Sequence, residues 1–289
     1  MAMDSDIAKF QIGDFQARLL RDMMFSYKGH DYFINADPAQ AEKELIKFGQ
    51  TMDKIPSPFI SLLLIRGNQK ILIDTGVGFK KDPMDFKGVQ VEFKGISRSL
   101  LEESDTKPEE ISNLILTHFH PDHIGGVCDE HLNPIYPNAK YILHQAEYDY
   151  WYGQKADLEN PLFKLFIQQN IDPIRHLDML LINQNHQEIV AGLHAIKIPG
   201  HTPGQIALRV ESNGEKLLYI SDAWLHPLHI KHLDWQTSYD LDHELAKKSR
   251  IKMLELAYQE SMLIQSFHFD FPGLGHIDKT SSGWHWESI

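Results

Sequence analysis

Cysteine is nearly missing from this chain: among 289 residues, Cys128 is the only thiol. One thiol excludes an internal disulfide and any cysteine-built zinc cage. Cys128 therefore reads as a small buried side chain rather than a ligand. Basic residues are also scarce, with 28 Lys and Arg against 40 Asp and Glu and a formal net charge of −12. Nucleic-acid affinity rests on lysine and arginine neutralising phosphates, so no nucleic-acid partner is expected. The excess of acid identifies no substrate, since net charge often serves solubility alone. No apolar run approaches the roughly 20 residues that a membrane span needs, so no membrane partner is expected. The opening "MAMDSDIAKFQIGDF" lacks the basic-then-apolar layout of a secretory signal. A cytoplasmic location is the expectation, although a chain whose signal had been removed would read the same. Repeats, low-complexity tracts and Pro/Ser-rich linkers are missing too, which favours a single domain over residues 1–289.

What is present alternates between two patterns. "FISLLLIR" (59–66), "KILIDTG" (70–76), "ISNLILT" (111–117), "AKYILH" (139–144) and "LLYISDA" (217–223) are short apolar runs of the buried-strand kind. "LHAIKIPG" and "GQIALRVES" add another pair, and Gly67-Asn68 punctuates the first pair as a hairpin turn would. Helical patterns lie over 37–49, 96–104 and 240–260. In the last, Leu241, Leu245, Ile251, Leu254 and Tyr258 recur at roughly helical spacing. Interleaved strands and helices, with hairpins among them, point to a mixed α/β (α+β) chain with two sheets flanked by helices. Residues 145–177 are rich in aromatics, broken by Gly and Pro, and match no strand pattern. They read as a helical excursion lying over one end of the sandwich, although core packing would explain the aromatics equally well.

The chemistry concentrates in "LTHFHPDHIGG" (116–126). His118 and His120 are two apart, as side chains sharing one face of extended backbone would be. Asp122 and His123 follow on a turn, where Pro121 suits a helix start. One metal on the first pair and a second on the latter pair is geometrically natural. Further on, His201 lies in "IPGHTPGQIAL", Asp222 ends the run "LLYISDAW", and His276 lies in the Gly-rich "FHFDFPGLGHI". Zinc takes nitrogen and oxygen donors, and catalytic zinc leaves a position open for water.

Taken together, the "HxHxDH" run, the upstream "LIDTG" and the later "PGHTPG", "SDA" and "PGLGH" resemble the metallo-β-lactamase-fold hydrolases over nearly the whole chain. The resemblance implies a four-layer αββα sandwich with a two-metal centre at one edge. It implies a first zinc on His118, His120 and His201, a second on Asp122, His123 and His276, and Asp222 bridging both. Iron, manganese or cobalt would suit the same donors. It also implies that Asp74 of "LIDTG" lies behind the metals and orients a ligand. Two zinc ions against two aspartates and a bridging hydroxide leave net positive charge, which suits attack on a neutral lactone, ester or phosphotriester. Asp122 would orient the hydroxide and carry a proton toward the leaving group.

Within the family, the loops after Asp222 and around "SFHFDFPGLGHI" look most like the branch of acyl-homoserine lactonases and methyl-parathion-type organophosphate hydrolases. Many lactonases carry a tyrosine three residues after the bridging aspartate. Leu225 stands there instead, closer to the apolar pocket of the phosphotriesterase members. Tyr152 or Tyr239 could supply a phenol from elsewhere. Trp151, Phe166 and Leu225 are the candidates for a hydrophobic pocket wall, with anchoring of the excursion as the other reading of the first two. Related enzymes suggest a homodimer. Glyoxalase II-like thioester hydrolysis and mononuclear-iron persulfide dioxygenation are the competing chemistries. Both act on glutathione derivatives and would need a cationic grip that the basic residues do not obviously supply. A non-catalytic binding module would be expected to have lost ligands. The best-known β-lactamase pattern does not match this ligand set.

Overall fold

The computed structural model describes residues 5–153 and 160–289. The chain forms two compact units: one of residues up to Met23 with Phe59–Gln184, the other of Met24–Pro58 with Asn185–Ile289. The strands are β1 (Ile7–Ile12), β2 (Phe15–Tyr27), β3 (Ile55–Arg66), β4 (Gln69–Ile73), β5 (Met84–Phe86), β6 (Val89–Val91), β7 (Asn113–Ile115) and β8 (Lys140–His144). There follow β9 (Met179–Ile182), β10 (His186–Val190), β11 (Leu193–Lys197), β12 (Ile206–Ser212), β13 (Glu215–Tyr219), β14 (Leu263–Gln265), β15 (Leu274–Thr280) and β16 (Gly283–Ser288). The α-helices are α1 (Gly29–Tyr32), α2 (Pro38–Leu45), α3 (Ser97–Glu103), α4 (Pro121–Ile124), α5 (Gln145–Trp151), α6 (Pro161–Asn170), α7 (Pro227–Lys231) and α8 (His243–Gln259). None of the described helices is long and apolar enough to cross a membrane.

The first unit is built on a seven-stranded sheet of order β1-β2-β3-β4-β7-β8-β9, with the chain passing to the second unit inside β2 and inside β3. β4, β7, β8 and β9 run parallel, so their carboxyl ends lie along one edge. Leu62–Leu64, Ile71–Ile73, Leu114 and Ile115 are buried irrespective of alternation. A parallel sheet covered on both faces reads in sequence as such continuous apolar runs. The region read as a helical excursion holds α5 and α6, while residues 154–159 lie outside the described residues.

The second unit is built on the sheet β10-β11-β12-β13-β14-β15-β16, antiparallel except for the pair β13 and β14. Its core packs Ile196, Leu218 and Ile264 of the strands against Met253 and Leu254 of α8. Burying each such side chain is worth about 1.5–3 kcal/mol. Of the stripe its spacing suggested, α8 fully buries only Leu254. Leu241, Leu245 and Tyr258 are exposed, and the buried face is Ala246, Ser249, Arg250, Met253, Leu254 and Ala257. An arginine on the inner face is what hid that stripe from a hydrophobic pattern.

Candidate metal centre

In the first unit, the parallel pair β4 and β7 places Asp74 and Thr117 side by side, each just past a strand end. Asp74 takes a positive φ of 56° there. Its carboxylate accepts hydrogen bonds from the Thr117 backbone N–H and hydroxyl, both at 2.8 Å. His118 to His123 then wrap around this strand end. The His118 ring stands 4.6 Å from the His120 ring and 4.0 Å from the His123 ring, centroid to centroid. His123 Nε2 lies 3.8 Å from Asp122 Oδ2. The following glycines let α4 settle on the loop after β4: a Cβ on Gly125 would meet Val77 O at 2.1 Å, and one on Gly126 would meet Thr75 O at 2.4 Å.

The same unit holds a support that the sequence reading missed. Glu147, on α5 at the end of β8, is buried and accepts from Phe119 N at 2.9 Å and from Trp151 Nε1 at 2.7 Å. One carboxylate thereby fixes the backbone between His118 and His120 and holds the Trp151 indole, whose ring is 6.2 Å from that of His120. Of the aromatics on α6, Phe163 stands closest to the histidines, 4.7 Å from His120. Phe166 does not. It is fully buried, edge-on to Phe93 and beneath the Lys80 ammonium. Phe166 lies almost one turn further along α6 than Phe163 and is buried with Leu162 and Ile167, so the pocket-wall expectation fell on a core-facing phenylalanine. Tyr152 donates to Asp172 Oδ1 at 2.5 Å, so its phenol is engaged there.

In the second unit the parallel pair β13 and β14 carries Asp222 and His268 just beyond neighbouring carboxyl ends. His268 Nε2 lies 3.2 Å from Asp222 Oδ2, and His201 Nε2 lies 3.3 Å from the same oxygen. His201 reaches this point from the β11–β12 connection. Gly200, at φ 136°, lets that loop press against α8, where a Cβ would meet Ala246 N at 2.1 Å. His276 does not take part. It lies inside β15, paired with Glu287 of β16, where alternation turns Gly275 and Ile277 inward and His276 outward. Its Nδ1 faces Met262 O at 3.1 Å. The imidazole beside Asp222 in this part of the chain is thus His268, where His276 was expected.

Leu225 also departs from expectation. It is buried in a cluster with Tyr32, Phe33, Leu228 and Trp235 and forms core rather than pocket wall. Tyr239 packs 5.5 Å from Tyr27, whose ring stands 6.2 Å from that of His268.

Three imidazoles share one electrostatic arrangement. His123 Nδ1 faces Asp74 Oδ2 at 2.8 Å, His201 Nδ1 faces Asp240 Oδ1 at 3.0 Å, and His268 Nδ1 faces the Pro58 carbonyl at 3.2 Å. Carboxylate and carbonyl oxygens only accept, so each Nδ1 is positioned to donate, which is the arrangement of the tautomer with its proton on Nδ1. This is the tautomer a metal requires of a ligand bound through Nε2. Burial opposes charge on His201, yet the carboxylates of Asp222 and Asp240 outweigh it and hold the imidazole up at about 9. Burial likewise pushes Asp240 upward, and the Arg250 charge together with the His201 hydrogen bond holds it below the usual carboxylate range.

The metallo-beta-lactamase superfamily model matches residues 59–259. An N-acyl homoserine lactonase of Bacillus cereus is 24% identical over 245 residues, covering 81% of this chain and 90% of its own length. Among solved structures, AidC, a dizinc quorum-quenching lactonase in complex with its product, aligns with a TM-score of 0.83 and 24% identity over 98% of this chain and 97% of its own. The hydrolase AbOPH aligns with a TM-score of 0.86 and 23% identity over 99% of this chain and 98% of its own. With the family model matched over most of its length and the fold shared end to end with these hydrolases, the chain belongs to the metallo-beta-lactamase superfamily.

Proposed function

We propose that this chain is a two-metal hydrolase of neutral lactones and esters, with N-acyl homoserine lactones as its first substrate class. The observation that carries this reading is the donor set at the strand ends. We assign His118, His120, His201 and Asp222 to one metal, and Asp122, His123, Asp222 and His268 to the other, with Asp222 shared. Imidazole and carboxylate donors without thiolate fit zinc, and we take zinc as the metal. Residues 1–289 are taken as one functional domain, and a homodimer, checked by sedimentation velocity, belongs to the same reading.

When bound, two such metals would polarise the scissile carbonyl and bring the pKa of a water to near neutrality. The chain's own residues do the rest. Asp74 holds the Nδ1 proton of His123, which keeps its Nε2 lone pair available. Asp122 accepts the proton released at attack and passes it to the departing alkoxide. For the acyl chain, support comes from a cavity of about 250 Å³ lined by Phe48, Phe269, Phe271 and Trp286 that reaches the His268 ring. Gln50 and His226, joined at 3.0 Å, supply polar atoms on its wall.

The test is a parallel assay of the zinc-loaded protein on an acyl-homoserine lactone series, paraoxon-type triesters, aryl esters and S-lactoylglutathione. Lactones are expected to turn over fastest. An Asp122→Asn variant, compared with wild type at matched zinc occupancy, is expected to lose about 100-fold or more in kcat. Preference for the triester would transfer the chain to the phosphotriesterases, the branch to which Leu225 in place of a tyrosine pointed. Preference for the thioester would replace the lactone reading, and silence on all four substrates would end it.

A further inference from the structure

Arg250 is buried to 1% exposure on the inner face of α8. A buried guanidinium is costly unless its charge and its N–H groups are all matched. Here Nε donates to Ala223 O at 2.6 Å, Nη1 to Trp235 O at 3.2 Å, and Nη2 to Asp240 Oδ2 at 2.5 Å. The second oxygen of Asp240 faces His201 Nδ1. Ala223 is the residue directly after Asp222. One guanidinium therefore ties down two donors at once, His201 through Asp240 and Asp222 through the adjoining backbone. His268 is held by a separate set, with Nδ1 3.0 Å from Ser57 Oγ and 3.2 Å from Pro58 O.

We propose that Asp240 and Arg250 are positioning residues for one metal of the pair, the one assigned to His118, His120, His201 and Asp222. The inference rests on the two-metal reading above. Asp240 fixes the His201 tautomer and adds negative charge behind its ring, which strengthens donation from Nε2. Arg250, bonded to both Asp240 Oδ2 and Ala223 O, holds Asp240 in register with the segment that carries Asp222. Packing alone would need neither the charge on Asp240 nor its alignment with the imidazole N–H.

The test measures both zinc affinities by competitive chelation for the wild-type chain and for Asp240→Asn, Arg250→Lys and Ser57→Ala. Loss of an outer partner typically weakens metal binding by roughly 10- to 100-fold. Asp240→Asn is expected to weaken one affinity by that factor and leave the other within about twofold. Arg250→Lys is expected to weaken the same affinity more than the other, which it touches only through the shared Asp222. Ser57→Ala is expected to weaken the opposite one. Equal weakening of both affinities by Asp240→Asn, or of neither, overturns the proposal. Should these variants not fold, 15N NMR of the zinc-loaded wild-type protein decides. A proton on His201 Nδ1 with metal-shifted Nε2 supports the proposal, and the reverse tautomer overturns it. A wild-type chain that binds fewer than two metals instead removes the two-metal reading, and this inference with it.

Discussion

At the scale of single residues, the informative contrast is between His268 and His276. Both lie in "FHFDFPGLGHI", and the resemblance pointed to the second. The distinguishing signal was nevertheless present: His268 comes just after β14, as Asp222 comes just after β13, whereas His276 lies inside a strand on its outward face. Replacing His268 by Ala is expected to cost at least about 100-fold in lactone turnover, an interaction made only at the reacting centre. His276→Ala is expected to leave kcat/KM within about twofold, since surface substitutions away from such features change little. Steady-state kinetics of the two variants side by side checks this, and the opposite ranking would restore His276. Glu147, Asp240 and Arg250 were not legible. Their partners lie 28, 39 and 10 residues away along the chain, and no periodicity or motif brings such positions together before folding does.

At the scale of elements, the strands that were legible are those buried on both faces, where an apolar run needs no alternation. β2 was not among them: "FQARLLRDMMFSY" mixes Met, Leu and Arg, good helix formers, into a thirteen-residue strand. α7 shows what a capping histidine adds. His226 accepts from Leu228 N through Nδ1 at 3.1 Å, and burial pushes its pKa down to about 3. Between its unfolded value near 6.5 and that folded value, the unfolded chain takes up a proton that the native state refuses. The stability it contributes is thus full above pH 6.5 and is lost as the pH falls, by about 1.4 kcal/mol per pH unit. An Asn at position 226 can cap the same helix without titrating. Urea unfolding at pH 7.5 and 5.5 is expected to show a smaller loss for His226→Asn than for wild type, by roughly 1 kcal/mol. Equal losses would mean that His226 does not titrate on unfolding in this range.

At the scale of the whole molecule, the apolar runs and the order of His and Asp motifs made the fold family legible, because motif residues such as Asp74, Asp222 and His268 come just after strand ends. The substrate wall was less legible. Trp151, Phe166 and Leu225 were chosen for their chemistry, yet Phe166 and Leu225 face cores, and the aromatic cavity beside His268 draws on Phe48 and Trp286 from distant parts of the chain. The central claim is the assignment of His118, His120, Asp122, His123, His201, Asp222 and His268 to two metals. Native mass spectrometry of the zinc-loaded, dialysed chain tests it most directly. Two zinc ions per chain are expected, falling to one in His268→Ala. A wild-type chain that retains one ion or none would contradict it.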